Sequence, residues 1–209
     1  MPIYDGIGNP DEPYRYVNPP PGYRDTEPPT AATGVLKVSH GQSGSAQINS
    51  AEYGPQIALY VPVGAFAAPV DDTHVSVTAE PVAPPHTLPA DGTIEGNVYR
   101  VTATAPDGAV DLIGFANQAP VLDLRAPTAQ QPGPVFEHFA EGKWTSYQTS
   151  RIGTDIYRTR MDALGDWALV RRDSGGGSRS VLLPIVAGVL GLCGVWVGVV
   201  AIRRRRLSR

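Results

Sequence analysis

NVYRVTAT (97–104) decides the fold class. Tyr99, Val101 and Ala103 recur at every second position, with Arg100, Thr102 and Thr104 between them. A period of two sends the two sets to opposite faces of an extended strand, one toward a core and one toward water. Asp107-Gly108 follows shortly, and that dipeptide marks a turn.

Short runs of the same kind lie on both sides. Upstream are GVLKVS (34–39), AQINS (46–50), QIALYVP (56–62) and THVSVTAEP (73–81). Downstream are AVDLIG (109–114), PVLDLRAP (120–127), PVFEHFA (134–140), KWTSYQT (143–149), TDIYRTRM (154–161) and DWALVR (166–171). In VLDLR, Leu122 and Leu124 are expected to face inward, Asp123 and Arg125 outward. Asp91-Gly92, Gly133-Pro134 and Glu141-Gly142 add turn signals. Strands of this length and spacing, with no helical period between them, predict a mainly β chain with an antiparallel β-sandwich over 34–172. Trp144, Trp167, Phe66, Phe115, Phe136, Phe139 and Tyr157 are its expected large core or edge residues.

The chain has 209 residues, with 23 glycines, 21 prolines and one cysteine. The absence of a Gly-x-y period and of heptads, with a single cysteine, excludes collagen, a coiled coil and a disulfide scaffold. A pI near 5.8 argues against a nucleic-acid binder. Charge is unevenly spread: every acid precedes residue 174, whereas residues 203–209 hold five arginines and no acid.

VLLPIVAGVLGLCGVWVGVVAI (181–202) carries no charge. As a helix it is about 33 Å long, enough to cross a bilayer core. One C-terminal transmembrane helix is expected here, in contact with membrane lipid, with 203–209 as a basic tail. Arg203, Arg204, Arg205 and Arg206 outweigh Arg171, Arg172 and Arg179 on the other side. The positive-inside bias therefore predicts a single-pass plasma-membrane protein, its C-terminus cytoplasmic and its N-terminal domain outside. MPIYDGIGNP (1–10) has no basic or apolar signal region, so export predicts a signal segment missing from this chain. The alternative is a tail-anchored protein with a cytoplasmic domain. Cys193 lies inside the span, so the exported part is expected to lack disulfides. Gly194 and Gly198 form a GxxxG unit that Ala187 and Gly191 extend. Small residues at this spacing let helix backbones approach closely, which points to a membrane-helix partner or a homodimer.

Residues 1–33 form a proline-rich arm of extended or polyproline II character. Tyr14, Tyr16 and Tyr23 interleave with its prolines and are the candidate binding residues. Two readings stay open: a strip that docks into a partner's groove, or an arm lying on its own domain with the tyrosines down. DSGGGSRS (173–180) is a Gly/Ser linker with a reach of about 15 Å.

Catalytic constellations are weak. Gly41-Gln42-Ser43-Gly44-Ser45 lacks the last glycine of a nucleophile elbow and fits a polar hairpin loop. His40, His74, His86 and His138 form no metal-ligand motif, although Asp71, Asp72 and His74 cluster, as do Glu137, His138 and Glu141. No enzyme, metal or cofactor is expected. RRDSGGGSRS (171–180) also lacks a sortase motif ahead of the span.

GPQIALYVPVGAF (54–66), NVYRVTATAPDG (97–108) and LRAP (124–127) resemble the β-sandwich module shared by ankyrins and netrin receptors. In that module a strand runs into a Pro-x-Gly-Ala turn and a later strand ends in Pro-x-Gly. Pro62, Gly64, Ala65, Pro106 and Gly108 stand at the matching places. The resemblance implies a binding or structural module. DEPYRYVNPPPGY (11–23), YVPVGAF (60–66), GDWALV (165–170) and an arginine-closed span resemble actinobacterial single-pass surface proteins, which brings architecture and no activity. The expected function is a membrane-anchored extracytoplasmic sandwich that binds an envelope or protein ligand or supports the envelope. The alternatives are a surface hydrolase with a carboxylate site and the tail-anchored cytoplasmic adaptor.

Overall fold

The computed structural model describes residues 12–24, 26–68, 72–113 and 118–172. The expected span 181–202 with Ala187, Gly191, Gly194 and Gly198 lies outside the described residues, as do the linker, Arg203 to Arg206, Phe115 and Asp71. Among the described residues, no helix is long and apolar enough to cross a membrane.

The described chain is mainly β, and its sheets are antiparallel. After a three-residue 3-10 turn at Pro21–Tyr23 come the strands, in chain order. They are β1 (Ala32–Ser39), β2 (Gln42–Ser43), β3 (Ala46–Asn49), β4 (Ile57–Val61), β5 (His74–Val82), β6 (Gly92–Ile94) and β7 (Val98–Ala105). There follow β8 (Gly108–Ala109), β9 (Val121–Arg125), β10 (Val135–Ala140), β11 (Lys143–Ser146), β12 (Ser150–Arg151), β13 (Ile156–Arg160) and β14 (Gly165–Arg172). One sheet runs β11-β10-β14-β7-β5-β1-β2, with β6 beside β14 and β8 beside β7. The other runs β12-β13-β9-β4-β3.

Strand β7 alternates as its sequence requires: Tyr99, Val101 and Ala103 are buried while Arg100, Thr102 and Thr104 are exposed. Both sheets feed one apolar cluster. Leu36, Val77, Tyr99, Phe136 and Trp167 come from the larger sheet, and Ile57, Leu59, Leu122, Leu124 and Tyr157 from the smaller. Each such aliphatic or Phe side chain contributes about 1.5–3 kcal/mol by leaving water. At Gly34 of β1 a Cβ would lie 2.6 Å from Ile48 Cγ1 of β3, in the other sheet. Glycine here makes room for the isoleucine.

Two hairpins close on two-residue turns. His40-Gly41 joins β1 to β2, and Glu141-Gly142 joins β10 to β11. All four residues have positive φ, the geometry whose twist matches that of paired strands. Pro62 and Gly64 form the turn after β4, with the Ala65 amide donating to Pro62 O at 3.3 Å.

Several expectations are corrected. Strand β1 begins at Ala32, two residues before the boundary at 34. AVDLIG (109–114) gives only the end of β8 and a single bridge, Phe66 to Leu112. The backbone leaves the ladder after the Val110 amide bonds Ala103 O at 3.1 Å. KWTSYQT (143–149) is strand only to Ser146, and the chain then crosses to the smaller sheet as β12. Asp123 and Arg125 lie opposite Leu122 and Leu124, yet both are buried, Asp123 under the Arg158 side chain of the neighbouring strand and Arg125 against the arm at Glu12. Of the expected aromatic core, Trp167, Phe136, Phe66 and Tyr157 are buried, whereas Phe139 and Trp144 are half-buried partners at 5.2 Å.

Candidate functional site

The arm lies on its own domain across residues 12–17. Tyr14 is 5% exposed, and its hydroxyl accepts the Asn97 backbone N–H at 3.1 Å. Burial pushes the phenol up to about 12. The Arg125 guanidinium stands 5.9 Å from the ring centroid. A Cβ on Gly96, whose φ is +93°, would run into the Tyr14 hydroxyl, so that position needs both glycine's conformational freedom and its small size.

Two buried carboxamides hold the arm's backbone. Gln56 accepts the Arg15 N–H at 3.3 Å and donates to the Arg15 carbonyl at 3.0 Å. Asn97 donates to the same carbonyl at 2.8 Å and accepts the Val17 N–H at 2.9 Å. Arg125 closes the far side, donating to Gly54 O and Glu12 O at 2.6 Å each. Below the arm, Glu52 accepts the Thr30 amide at 2.6 Å and the Thr30 hydroxyl at 2.9 Å. Burial alone would raise the Glu52 carboxyl, but hydrogen bonds from Ser50 and Thr30 outweigh it and hold the group below the usual carboxylate range.

The three candidate tyrosines meet in one ladder. Tyr14 and Tyr16 are 4.8 Å apart by ring centroid, and Tyr16 meets Tyr23 edge-on at 5.2 Å. Exposure grows along it, from buried Tyr14 through half-buried Tyr16 to exposed Tyr23. Surface for an outside ligand therefore lies at Tyr16 and Tyr23, while Tyr14 is engaged inside its own fold.

A second feature opens beside β12 and β13 of the smaller sheet. It is a trough of about 690 Å³ lined by Val121, Tyr147, Ser150, Arg158, Arg160 and Asp162. It continues beside Tyr60 and Gln47, sharing Val121 and Arg160. Register puts Tyr60, Val121 and Arg160 in one row across β4, β9 and β13, with Ala58, Asp123 and Arg158 in the next. Arg158 forks onto Asp123 with two bonds of 2.7 Å and stands 5.4 Å from the Tyr60 ring centroid. Tyr147 donates to Asp162 at 2.6 Å, and burial together with that bond raises the phenol to about 12.

Elsewhere, His138 stacks on Trp167 at 4.5 Å and its Nε2 meets Leu164 O at 2.9 Å. Glu137 pairs with Arg172 at 2.6 Å. Among the described residues, no group of three His, Cys, Asp or Glu is placed to hold a metal ion.

Gln56, Asn97 and Glu52 were not singled out in the sequence, and Arg125 was read only as an outward-facing strand residue. Amides at strand ends are common there, and nothing in periodicity marks one that will hold a segment 41 or 82 residues away. Tyr60, Arg158 and Arg160 sit inside alternating strands and read simply as outer-face residues. Their alignment across three strands depends on register. No protein-family model matches the chain, and no curated protein matches it significantly.

Proposed function

We propose that the chain is a membrane-anchored extracytoplasmic β-sandwich with a binding role at the cell envelope. Its ligand face is the trough on the smaller sheet. The observation that carries this reading is the trough's composition and openness. Tyr60 and Tyr147 supply apolar ring surface, while Arg158, Arg160, Gln47 and Ser150 supply hydrogen-bonding groups in rows across strands. A shallow strip of this kind suits an extended, hydroxyl-rich polymer better than an enclosed small molecule. The sandwich rests on the two sheets that share one core. The anchor rests on the uncharged run 181–202 and the arginines that close it.

Co-sedimentation with insoluble envelope polysaccharide tests the ligand face. The full chain should pellet with the polymer, and Tyr60→Ala combined with Arg160→Ala should weaken retention at least about tenfold, several contacts being lost together. Equal retention of the folded double variant would remove the trough from consideration. Protease added to intact spheroplasts should digest the N-terminal domain. Digestion only after lysis would overturn the orientation.

A further inference from the structure

The β10–β11 hairpin and the segment 83–91, which joins β5 to β6, enclose a pocket of about 320 Å³ on the larger sheet. Strand alternation supplies its floor. Phe136 points into the core, so Glu137 turns to the opposite face, level with Ser146 of β11, and Trp144 stands level with Phe139. The Glu137 side chain is 4% exposed. Its Oε1 takes the Arg172 guanidinium at 2.6 Å and the Ser146 hydroxyl at 3.3 Å, while its Oε2 carries no hydrogen bond among the described residues. Trp144 forms a fixed wall: its indole N–H donates to Thr87 O at 2.8 Å, and its ring lies 5.2 Å from that of Phe139. Exposed Leu88 adds apolar surface to the lining.

We infer that this pocket is a binding site for one neutral sugar ring, free or at the end of a chain. Charge balance selects neutrality. Lys143 and Arg172 stand against Asp91 and Glu137 around one small space. A cationic ligand would meet Glu137 and Asp91 but also Lys143, and an anionic one would meet Lys143 but also Asp91, so neither sign gains a net attraction. Donors and acceptors are nevertheless at hand. Lys143 and Asp91 enter no ion pair among the described residues, and of the Arg172 guanidinium only Nη2 is engaged there, by Glu137 and Ser146. With Glu137 Oε2 this places open donors and open acceptors around the same space, and a hydroxyl is the uncharged group that donates and accepts at one oxygen. The half-buried indole suits the apolar C–H face that a sugar ring presents between its hydroxyls. The space lies at the lower end of small-ligand pockets and is walled by 83–91, so it takes a ring and not a length of polymer. The inference concerns the larger sheet and is independent of the trough and of the membrane anchor.

Saturation-transfer-difference NMR reads weak binding of free sugars to the full chain, held in a detergent without a sugar headgroup. The probes are the methyl glycosides of glucose, galactose and mannose, each beside its 2-amino and its uronate counterpart. At least one neutral glycoside should give a saturable signal with a Kd on the order of millimolar, and its two charged counterparts should bind at least about fivefold more weakly. Asp91→Asn should bring the uronate to within about twofold of the neutral sugar, and Lys143→Gln should do the same for the amino sugar. Both positions are exposed, so the fold survives either change. Tyr60→Ala combined with Arg160→Ala, on the trough, should leave every signal as it was. Four results would overturn the proposal: no saturable signal from any neutral glycoside, a charged counterpart bound as tightly as its neutral parent, a preference unmoved by either single change, or loss of the signal in the trough variant.

Discussion

Tyr14→Ala should free the arm before it harms the domain. The ring is 5% exposed, and truncating a buried aromatic to alanine costs about 3–5 kcal/mol. That loss falls on the arm's docking equilibrium, whose own free energy sets a ceiling: once the arm is mostly released, nothing further is lost. Trypsin reads this directly. Arg15 has its N–H and its carbonyl both engaged and its guanidinium paired with Glu12 at 2.6 Å and Glu27 at 2.8 Å, so cleavage after it requires release. Arg24 is exposed and serves as an internal standard. When opening is fast relative to cleavage, the rate follows the open population. Cleavage at Arg15 should rise by roughly two to three and a half powers of ten, or to the ceiling, while cleavage at Arg24 stays constant. Tyr14→Phe keeps the ring and removes only the acceptor for the Asn97 N–H, about 1–2 kcal/mol and one power of ten. Wild-type cleavage at Arg15 in Tyr14→Ala would refute the docking energetics. A parallel rise at Arg24 would show that the whole domain had opened instead.

Arg158→Ala leaves Asp123, with a side chain 7% exposed, without its forked partner, and should cost about 1–3 kcal/mol. Adding Asp123→Ala should recover most of that in thermal melts, so additive losses would contradict the pairing. Gly133→Ala puts a Cβ 2.5 Å from the hydroxyl of Tyr157, which is 2% exposed, and should lower the urea midpoint by the equivalent of about 1–3 kcal/mol. Gly22→Ala meets no atom within 4 Å and should leave the midpoint unchanged. The Glu52 carboxyl is held below its ordinary range, so it contributes stability that is complete above that range and is lost as pH falls through the lowered value. Urea titrations from pH 7 to pH 3 should show that loss, and Glu52→Gln should flatten it; an unchanged slope would rule Glu52 out as its source.

Strand β7 was legible because one local rule, alternation, holds from Tyr99 to Thr104; only Val98, buried beside Tyr99, departs from it. Strand β9 was legible only on its inner face. Leu122 and Leu124 announce the core, but burial of Asp123 depends on Arg158, 35 residues later, and burial of Arg125 on the arm carbonyl of Glu12, 113 residues earlier. Neither partner is visible in a five-residue window. Strands β2 and β6 escaped notice because Gln42–Ser43 and Gly92–Ile94 lack an apolar alternation of their own and are drawn into the sheet by β1 and β14. For the arm, composition predicted an extended segment and left its docking open. The choice of which tyrosine turns inward was made by a glycine at 96 and an asparagine at 97, both far away in sequence.

The ends of the two sheets bear on what happens when copies crowd together. Strands β2 and β12 are two residues each, while β3 and β11 are four, and their outward positions are largely polar or charged. An aggregation nucleus needs a long, flat, apolar edge on which a neighbour's backbone can zip, and none of these borders supplies one. Self-recognition by backbone ladders, which is indifferent to sequence and tends toward fibres, is thereby discouraged. The arm's fit to its own groove is addressed to particular side chains instead, Gln56 and Asn97 above all.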